Sequence, residues 1–345
     1  MSRSVPSLLR SRPRRLAAGA LVFLGLAGAV YGFWWHHMAG RVRAGLERWQ
    51  EQAVAAGWRI GAGTVDVGGF PGAIRVTIAA PDVTDPAGNR WEGPPVTLSL
   101  PLFGLGRLHA DAAGRHRVTL ASGRSIPVTV SRAAIDAEIG WDGPGEVSIE
   151  AQGVSADTVT VALITLRGQA VRGRPAAGEA WDLSLTAREL RLPDDLRLPF
   201  GTTVTSARVD ALIEGAAVFR KGLSLTPQAL ASWRDAGGRV DLQEAEIVWP
   251  PLSLGGTGSL SLDARLQPVL KSDCTLRGLF PALDRLVGEG WMTPRDRALA
   301  GLVLGLLARP GRDGKPELQV PVSLSGGRLS VGSVPILTVP ELTWK

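Results

Sequence analysis

The sequence predicts a mainly β protein of the α+β class: a long, curled antiparallel sheet with a few packed helices, preceded by one transmembrane helix. Three observations support this class. Apolar and polar residues alternate with a period of two through most of the chain after Trp58, turn clusters rich in Gly, Pro, Asp and Asn separate the alternating runs, and one uncharged stretch precedes them all. Because crossover helices are missing between most of the runs, we expect antiparallel pairing.

The uncharged stretch, Leu16 to Trp35, predicts a membrane anchor. A helix of this length spans roughly the 30 Å hydrocarbon core of a bilayer at about 1.5 Å per residue. Arginines without any acid occupy residues 1–15, so the positive-inside bias predicts a cytoplasmic basic tail there. Aromatic residues at the far end are typical of the outer headgroup layer. We therefore expect an anchor over residues 16–37 in the inner membrane, single-pass, with the C-terminal domain in the periplasm.

A cleaved signal peptide is the alternative interpretation of the same stretch. Ala27-Gly28-Ala29 has the small-x-small form of a cleavage site. The apolar run, however, continues past this site into bulky aromatic residues and exceeds the roughly 7 to 15 residues of a secretory core. The uncleaved anchor is favoured, and in both cases the region that follows is extracytoplasmic.

The positive net charge does not indicate a nucleic-acid-binding protein. The formal net charge is +6, and the five arginines of residues 1–15 account for most of it. Basic residues elsewhere are mixed with acidic ones, so no cationic surface for phosphates is expected. Cys274 is the only cysteine, which excludes an intramolecular disulfide and a thiolate metal cluster.

Residues 38–57 predict an amphipathic juxtamembrane helix. Val42, Leu46 and Trp49 recur at helical spacing, and Gly57 provides a natural end. We expect this helix to continue the anchor or to dock on the edge of the sheet. A position within the lipid headgroups is less compatible with its polar face, which is not predominantly basic.

Residues 58–345 predict the β-rich region. The clearest strands of its first part are Val65–Val67, Ile74–Ile78, Val96–Leu100, Val128–Val130 and Val147–Ile149. Each alternates apolar with polar residues, which predicts one apolar and one polar face. The Gly-, Ala- and Arg-rich stretch Arg167 to Ala180 predicts an internal boundary between two candidate halves, 58–166 and 181–345.

The second half adds strands and three helical segments. The strands are expected at Trp181–Leu185, Val204–Ile213, Val240–Leu242, Leu252–Leu254, Leu260–Leu262, Leu318–Leu324, Leu329–Val331 and Val334–Trp344. Pro227 to Ala236 predicts a helix, and Pro281 to Glu289 with Pro294 to Ala308 predicts a helical hairpin capped by Thr293. The apolar run Leu299 to Leu307 is shorter than the roughly 17 residues that a membrane span requires, so we expect a buried helix packed on the sheet.

No catalytic, cofactor-binding or metal-binding residue is predicted. His109, Asp111 and His116 lie close in sequence, but no further histidine in the body of the chain could complete a zinc site. Asp194-Asp195 is the most visible acidic pair, and adjacent residues in a strand do not present both carboxylates to one substrate. No Gly-x-Ser-x-Gly elbow and no His-Glu-x-x-His helix occurs. We expect a protein that is not an enzyme; a hydrolase has least support.

Several short motifs and their order resemble an uncharacterised bacterial family, DUF2125. Besides the basic tail and the anchor, they are Gly69-Phe70-Pro71, Trp91 before Pro94-Pro95, Trp233-Arg234-Asp235-Ala236-Gly237-Gly238, and the terminal helical pair followed by Gly326-Gly327-Arg328-Leu329. The layout is more distantly similar to AsmA-like inner-membrane proteins, whose long sheets curl into lipid-holding grooves and whose relatives act in envelope biogenesis. The resemblance implies a class of role and no catalytic residues.

These observations predict a membrane-anchored periplasmic protein of envelope biogenesis or lipid handling. A one-sided apolar sheet of this length must either be covered by helices or leave a groove, and the predicted helices are too few to cover it. The expected partners are membrane lipids, with a phospholipid ligand or envelope proteins, and no nucleic acid. The alternative is a structural scaffold or interaction protein whose apolar face is sealed and whose partners bind at strand edges.

Overall fold

The computed structural model describes residues 12–61, 63–101, 106–140, 143–171, 180–216, 226–311, 314–342 and 344. The side chains of residues 12–24 and 139–144 are outside this description. Most of the predicted basic tail and most of the predicted internal boundary therefore lie outside the described residues, and only the backbone is described for the first part of the predicted anchor.

The chain begins with one long helix, α1, which spans Arg12–Ala55. This helix contains both the predicted anchor and the predicted juxtamembrane helix, so the second continues the first. α1 contacts the first two strands, β1 Arg59–Gly61 and β2 Val65–Gly68. Among the helices of the described residues, none is both long enough and apolar enough to cross a bilayer.

Within the described residues, twenty strands form one sheet with antiparallel pairing throughout, which confirms the mainly β class. After β1 and β2, the short strands are β3 Ala73–Ile78, β4 Asp82–Thr84, β5 Arg90–Glu92, β6 Val96–Pro101, β7 Arg107–Asp111 and β8 Gly114–Thr119. The long strands are β9 Ser125–Gly140, β10 Gly143–Ala156, β11 Val159–Val171, β12 Ala180–Arg191, β13 Thr203–Glu214, β14 Arg239–Trp249, β15 Leu252–Leu262 and β16 Pro268–Arg277. The last are β17 Arg309–Pro310, β18 Pro316–Ser325, β19 Arg328–Val331 and β20 Val334–Thr338.

The sheet divides at β9. One edge of this strand pairs with β10, whereas the other edge pairs with β8 through residues 125–130 and with β7 through residues 134–138. Strands β5, β4 and β1 continue the branch that starts at β8. Strands β6, β3 and β2 continue the branch that starts at β7. On the other side, β10 to β16 pair in chain order and lead to β18, β19 and β20.

The pairing continues across the predicted internal boundary. β11 extends to Val171, into the stretch predicted as a boundary, and Val171 pairs with Ala180 at the start of β12. The connection between these two strands, residues 172–179, is outside the described residues. The residues on both sides of the predicted boundary therefore belong to neighbouring strands of the same sheet.

Helix α2, Pro227–Asp235, precedes β14 and confirms the predicted helix. The hydroxyl of Thr226 caps its first turn. Trp233 is buried, and its indole N–H donates to the carbonyl oxygen of Glu214 at 2.7 Å. A Cβ at Gly238 would lie 2.4 Å from the Trp233 ring, so only glycine allows the chain to pass so close to the indole. The Trp233-to-Gly238 motif thus joins α2 to the ends of β13 and β14.

The predicted helical hairpin consists of α3, Leu279–Gly288, and α4, Pro294–Leu307. α3 contacts β15 and buries Ala282 and Leu283. α4 contacts α3 and buries no residue. The expectation of a buried helix packed on the sheet was therefore wrong for Leu299 to Leu307, because none of the α4 residues is buried and α3 is the helix of the pair that packs on β15.

The burial of Val76 in one of the short strands predicts that Val76→Asp destabilises the fold. Val76 in β3 is 5% exposed. An unpaired carboxylate there should lower the free energy of unfolding by about 3 kcal/mol or more. Arg75→Asp, at an exposed position on the same strand, is the control and should cost much less. Urea unfolding of the detergent-solubilised full chain measures both; equal losses would contradict the assignment of Val76 to the core.

Candidate binding face

Cross-strand pairing brings the apolar residues of successive strands to one side of the sheet. Directly paired residues share a side. Val76 pairs with Leu98, Leu98 with Ala110, Ala110 with Ile135, and Ile135 with Ile149. The row then continues through Leu166, Leu185, Val209, Ala245, Gly256, Cys274 and Val320. We call the side of the sheet that carries this row the long apolar face. At about 4.8 Å per strand, the row is about 50 Å long.

Two parallel rows widen the long apolar face between β12 and β20. One row consists of Trp181, Ile213, Val240, Leu260, Leu270, Leu324, Leu329 and Leu337. The other consists of Ala187, Ala207, Ile247, Leu254, Leu276 and Leu318. Every member of these two rows is apolar, although none is adjacent to the next in sequence.

The opposite side of the same strands is polar. Ser148, Arg167, Ser184, Asp210 and Glu244 form a row of directly paired residues there. Arg208 donates to Asp210 at 2.6 Å within this surface. The pKa of Asp210 lies below its ordinary value, because hydrogen bonds and the Arg208 charge outweigh the opposing effect of burial. The polar side is therefore a surface on which Arg208 pairs with Asp210 and Glu244, and the sheet is amphipathic across its thickness.

The long apolar face is only partly covered. Leu185, Ile247 and Leu254 are between 37% and 40% exposed, although they belong to central strands. Among the described residues, no large side chain is completely buried. The larger aliphatic side chains that are buried on this face, Ile74 and Val76, lie near its beginning, and in the centre the small side chain of Ala211 is buried. The central strands therefore expose aliphatic side chains that a second layer covers in ordinary sandwich folds.

α1 covers the beginning of the long apolar face. Trp35 and Ile74 belong to one buried cluster, and the Trp35 indole N–H donates to the carbonyl oxygen of Ala73 at 3.1 Å. The Phe70 ring lies 5.5 Å from the Trp35 ring, and the Tyr31 hydroxyl donates to the carbonyl oxygen of Pro71. The Gly69-Phe70-Pro71 motif is thus the contact through which α1 holds the edge of the sheet. The apolar face extends away from this contact.

A β-bulge preserves the apolar side in β14. Leu242 and Ala245 are three residues apart, so strict alternation would place them on opposite sides. Leu242 pairs with Ala211 and Ala245 with Val209, because Gln243 is an extra residue at this point. A bulge of this kind restores the register after an irregular spacing. The sequence break at Gln243 therefore does not interrupt the long apolar face.

The apolar side changes within β9 to β11. Val130 pairs with Val154, Val154 with Val161, and Val161 with Leu190, all on the side opposite to the long apolar face. The branch β8, β5, β4 and β1 continues this second apolar side through His116, Val118, Trp91, Val83 and Ile60. The expected alternation therefore gives each part of the sheet one apolar side. The strands of the long apolar face are apolar on one side, and the branch through β8 is apolar on the opposite side.

The structure does not bring His109 and His116 together. His109 in β7 pairs with Asp136, and its Nδ1 lies 2.9 Å from the carboxylate of that residue. His116 in β8 pairs with Val128. The two partners are eight residues apart along β9, which corresponds to about 27 Å. Among the described residues, no group of three His, Cys, Asp or Glu side chains could hold a metal ion.

The remaining candidates from the sequence have local structural contacts. Asp111 accepts a hydrogen bond from the backbone N–H of Ala113, and Asp194 accepts one from the hydroxyl of Thr202. The Cys274 thiol belongs to the long apolar face and lies 3.4 Å from the Ser272 hydroxyl. Each of these three residues therefore has a local structural contact.

One depression, of about 400 Å³, lies beside β1, β4 and β5. Arg90 crosses it and binds Asp82 at 2.6 Å and Glu92 at 3.2 Å. The hydrogen bond and charge of Arg90 lower the pKa of Asp82, so this carboxylate is ionised and paired. Asp82 in the lining of the depression and Glu92 outside that lining therefore compete with any anionic ligand for the Arg90 guanidinium.

His116 is held in a partly buried stack. Its ring stacks on Trp91 with centroids 5.9 Å apart, and the Trp91 indole N–H donates to His116 Nδ1 at 3.3 Å. The other ring nitrogen, Nε2, is buried and has no hydrogen-bond partner among the described residues. Burial lowers the pKa of His116, although the backbone carbonyl of Ala112 partly opposes this effect. The folded protein therefore favours the neutral form of the His116 ring.

The lowered pKa of His116 predicts a loss of stability in mild acid. The unfolded chain takes up a proton at His116 near pH 6.5, whereas the folded chain does so only at lower pH. This contribution to stability is complete above about pH 6.5 and falls as the pH decreases towards the folded value. Urea unfolding between pH 7.5 and 5 should show a weaker acid loss for His116→Phe than for the wild type. His109→Phe, at an exposed position, is the control; identical profiles for both variants would contradict the assignment.

Comparison with known proteins identifies a family. The model of a family described as "Uncharacterized protein conserved in bacteria (DUF2125)" matches residues 35–340. No curated protein and no solved structure matches the chain, so the more distant similarity to AsmA-like proteins stays a prediction. The match begins at Trp35, in the contact between α1 and the sheet, and continues through β20. The chain therefore belongs to the DUF2125 family of bacterial proteins.

Proposed function

We propose that the protein is a non-enzymatic lipid-handling protein of the bacterial cell envelope, anchored in the inner membrane by α1. In this proposal, the long apolar face binds the acyl chains of phospholipids. The observation on which the proposal rests is the row of apolar residues that crosses twelve strands and stays partly exposed in its centre. An apolar surface of this extent on a protein surrounded by water marks a binding site for an apolar partner.

The shape of the face favours acyl chains over a compact apolar ligand. The three rows run across the strands, so an extended hydrocarbon chain could contact the same kind of side chain from β12 to β18. The polar opposite side could remain in water while the apolar side holds lipid. Cys274 and Ser272, whose side chains lie 3.4 Å apart on this face, are both small and uncharged. No charged residue belongs to the three rows.

The position of α1 supports the link with a membrane. Trp35, at the end of the predicted anchor, contacts Ile74 at the start of the long apolar face. A lipid that leaves the bilayer beside α1 would therefore meet the first strands of the face. The predicted anchor supplies the inner-membrane and periplasmic location, because it is preceded by arginines and followed by the sheet.

The alternative is a scaffold that binds another envelope protein at a strand edge. β20 pairs with β19, and Val334, Ile336 and Leu337 of β20 are exposed. An exposed apolar edge strand can accept a further strand from a partner. This observation favours the scaffold only at β20, whereas the long apolar face requires a partner along its whole length.

Bound lipid is the first test of the proposal. The full chain, purified in mild detergent and extracted with organic solvent, should release phospholipid that mass spectrometry detects. Leu185→Asn with Leu254→Asn should reduce the lipid per chain several-fold without unfolding, because both side chains are partly exposed. Ser184→Asn with Thr257→Asn, on the polar side of the same strands, is the matched control and should retain the lipid. No lipid in the wild type, or equal loss in both double variants, would leave the scaffold as the better account.

Topology is the second test. A reporter that is active only outside the cytoplasm should work when it is fused after Lys345, because the sheet is proposed to lie in the periplasm. The same reporter should fail when it is fused before Leu16. The opposite pattern would invert the proposed orientation, and a mature chain that begins near Tyr31 would show that the segment is a cleaved signal peptide.

A further inference from the structure

α4 carries a second exposed apolar surface, separate from the long apolar face. Leu299, Leu302, Val303 and Leu306 are spaced at i, i+3, i+4 and i+7, so they share one side of the helix. Their exposed fractions are 57%, 65%, 53% and 79%. We call these four residues the α4 ridge. A helix with large aliphatic residues on such a side is normally buried, so the ridge requires a partner.

The side of α4 opposite the ridge is attached to α3, and this attachment determines where the ridge points. Arg297 binds Asp284 of α3 at 2.7 Å, and α3 in turn contacts the sheet. Thr293 caps the first turn by accepting a hydrogen bond from the backbone N–H of Asp296, and its hydroxyl donates to the Asp296 carboxylate. The helix is therefore held on α3 by its N-terminal half and presents the ridge away from α3.

The surroundings of the ridge resemble those of helices that lie in a membrane surface. Arg295 lies at its N-terminal end and Arg309 follows its C-terminal end, with no charged residue between Arg297 and Arg309. Trp291 is 56% exposed in the turn before α4. Apolar helices with arginines at their ends and an exposed tryptophan nearby are typical of the boundary between headgroups and acyl chains.

The acidic residues near the ridge do not oppose an anionic surface strongly. Asp284 is paired with Arg297, and Asp296 is held by the Thr293 cap. Glu289, in the turn between the two helices, is the remaining acid of the hairpin. Arg295 and Arg309 have no ion pair among the described residues, so both are free to contact lipid phosphates.

We propose that the α4 ridge inserts into the surface of an anionic lipid bilayer and gives the protein a second membrane contact. α1 contacts the sheet at β1, β2 and β3, whereas the α3–α4 hairpin follows β16. Ten strand steps separate β3 from β16 in the pairing order, which is about 48 Å measured along the sheet. The two contacts therefore hold opposite parts of the sheet. This inference depends on α4 alone and does not require lipid on the long apolar face.

A spin label on the ridge tests this contact in the full chain. Leu306→Cys in a Cys274→Ser background would carry a nitroxide, and Ala298→Cys, on the flank of the helix, would carry the control label. Both proteins are reconstituted in phosphatidylcholine vesicles with and without about one quarter phosphatidylglycerol. In the anionic vesicles, the label at 306 should be accessible to oxygen and shielded from a water-soluble nickel complex. The label at 298 should remain accessible to the nickel complex.

Vesicle tethering is a second measurement, which detects contact between α4 and a bilayer other than the one that holds α1. If α4 reaches a membrane opposite to the one that holds α1, the reconstituted chain should tether added anionic vesicles. Leu302→Asp with Leu306→Asp should then reduce tethering about 10-fold or more, since two aliphatic side chains lose their burial. Arg295→Gln with Arg309→Gln should reduce it for anionic vesicles only. Circular dichroism should show that both variants stay folded.

Two results would overturn the inference. One is a label at position 306 that stays accessible to the nickel complex in both kinds of vesicle, together with no tethering. The other is strong coupling between labels of neighbouring chains that persists in detergent, because the ridge would then bind a second copy of this chain. Copurified phospholipid would remain in either case if the long apolar face binds it, so the two proposals fail separately.

Discussion

The register between the long strands is the constraint on which the rest of the structure depends. Side chains alternate between the two sides of a strand, so a slip of one residue would move every apolar side chain to the wrong side. The pairings from Ile149 through Leu166, Leu185 and Val209 keep one apolar row in line across four strands. At β14 the extra residue Gln243 restores that line. The amphipathic sheet exists only because each of these pairings holds.

This architecture stabilises the protein with little conventional core. Most apolar residues of the central strands are half-buried, and the deepest burial lies where a helix meets the sheet or where two strands end. Trp35 and Trp233 mark two such places, and each donates its indole N–H to a backbone carbonyl of a neighbouring strand or turn. Cross-strand pairs and backbone hydrogen bonds therefore hold the centre of the sheet, while the helices fix its ends. An uncovered centre is what a binding face requires.

Local patterns in the sequence were sufficient for the strands with clear alternation, for α2 and for the helical hairpin. They were not sufficient for β11 or β16: Leu163-Ile164 interrupts the alternation where the apolar side changes, and Lys271-Ser272-Asp273 gives β16 a polar centre. The division of the sheet at β9 depends on which residues pair although they are distant in sequence. A local sequence pattern does not predict such pairs. The exposure of α4 was missed because the sequence shows its apolar residues but not that α3 is the helix of the hairpin that packs on β15. Likewise, alternation predicted the apolar face, whereas its exposure depends on where the helices pack.

The central claim, that acyl chains lie on the long apolar face, is tested most directly by photo-crosslinking within bacterial membranes. A phospholipid with a diazirine in its acyl chain reacts with the side chains that it touches, and mass spectrometry locates the adducts. The account predicts adducts in β12, β14 and β15 at Leu185, Ile247 and Leu254, and none at Ser184 or Thr257 on the polar side. Adducts confined to α1 and α4, with the central strands unmodified, would contradict it.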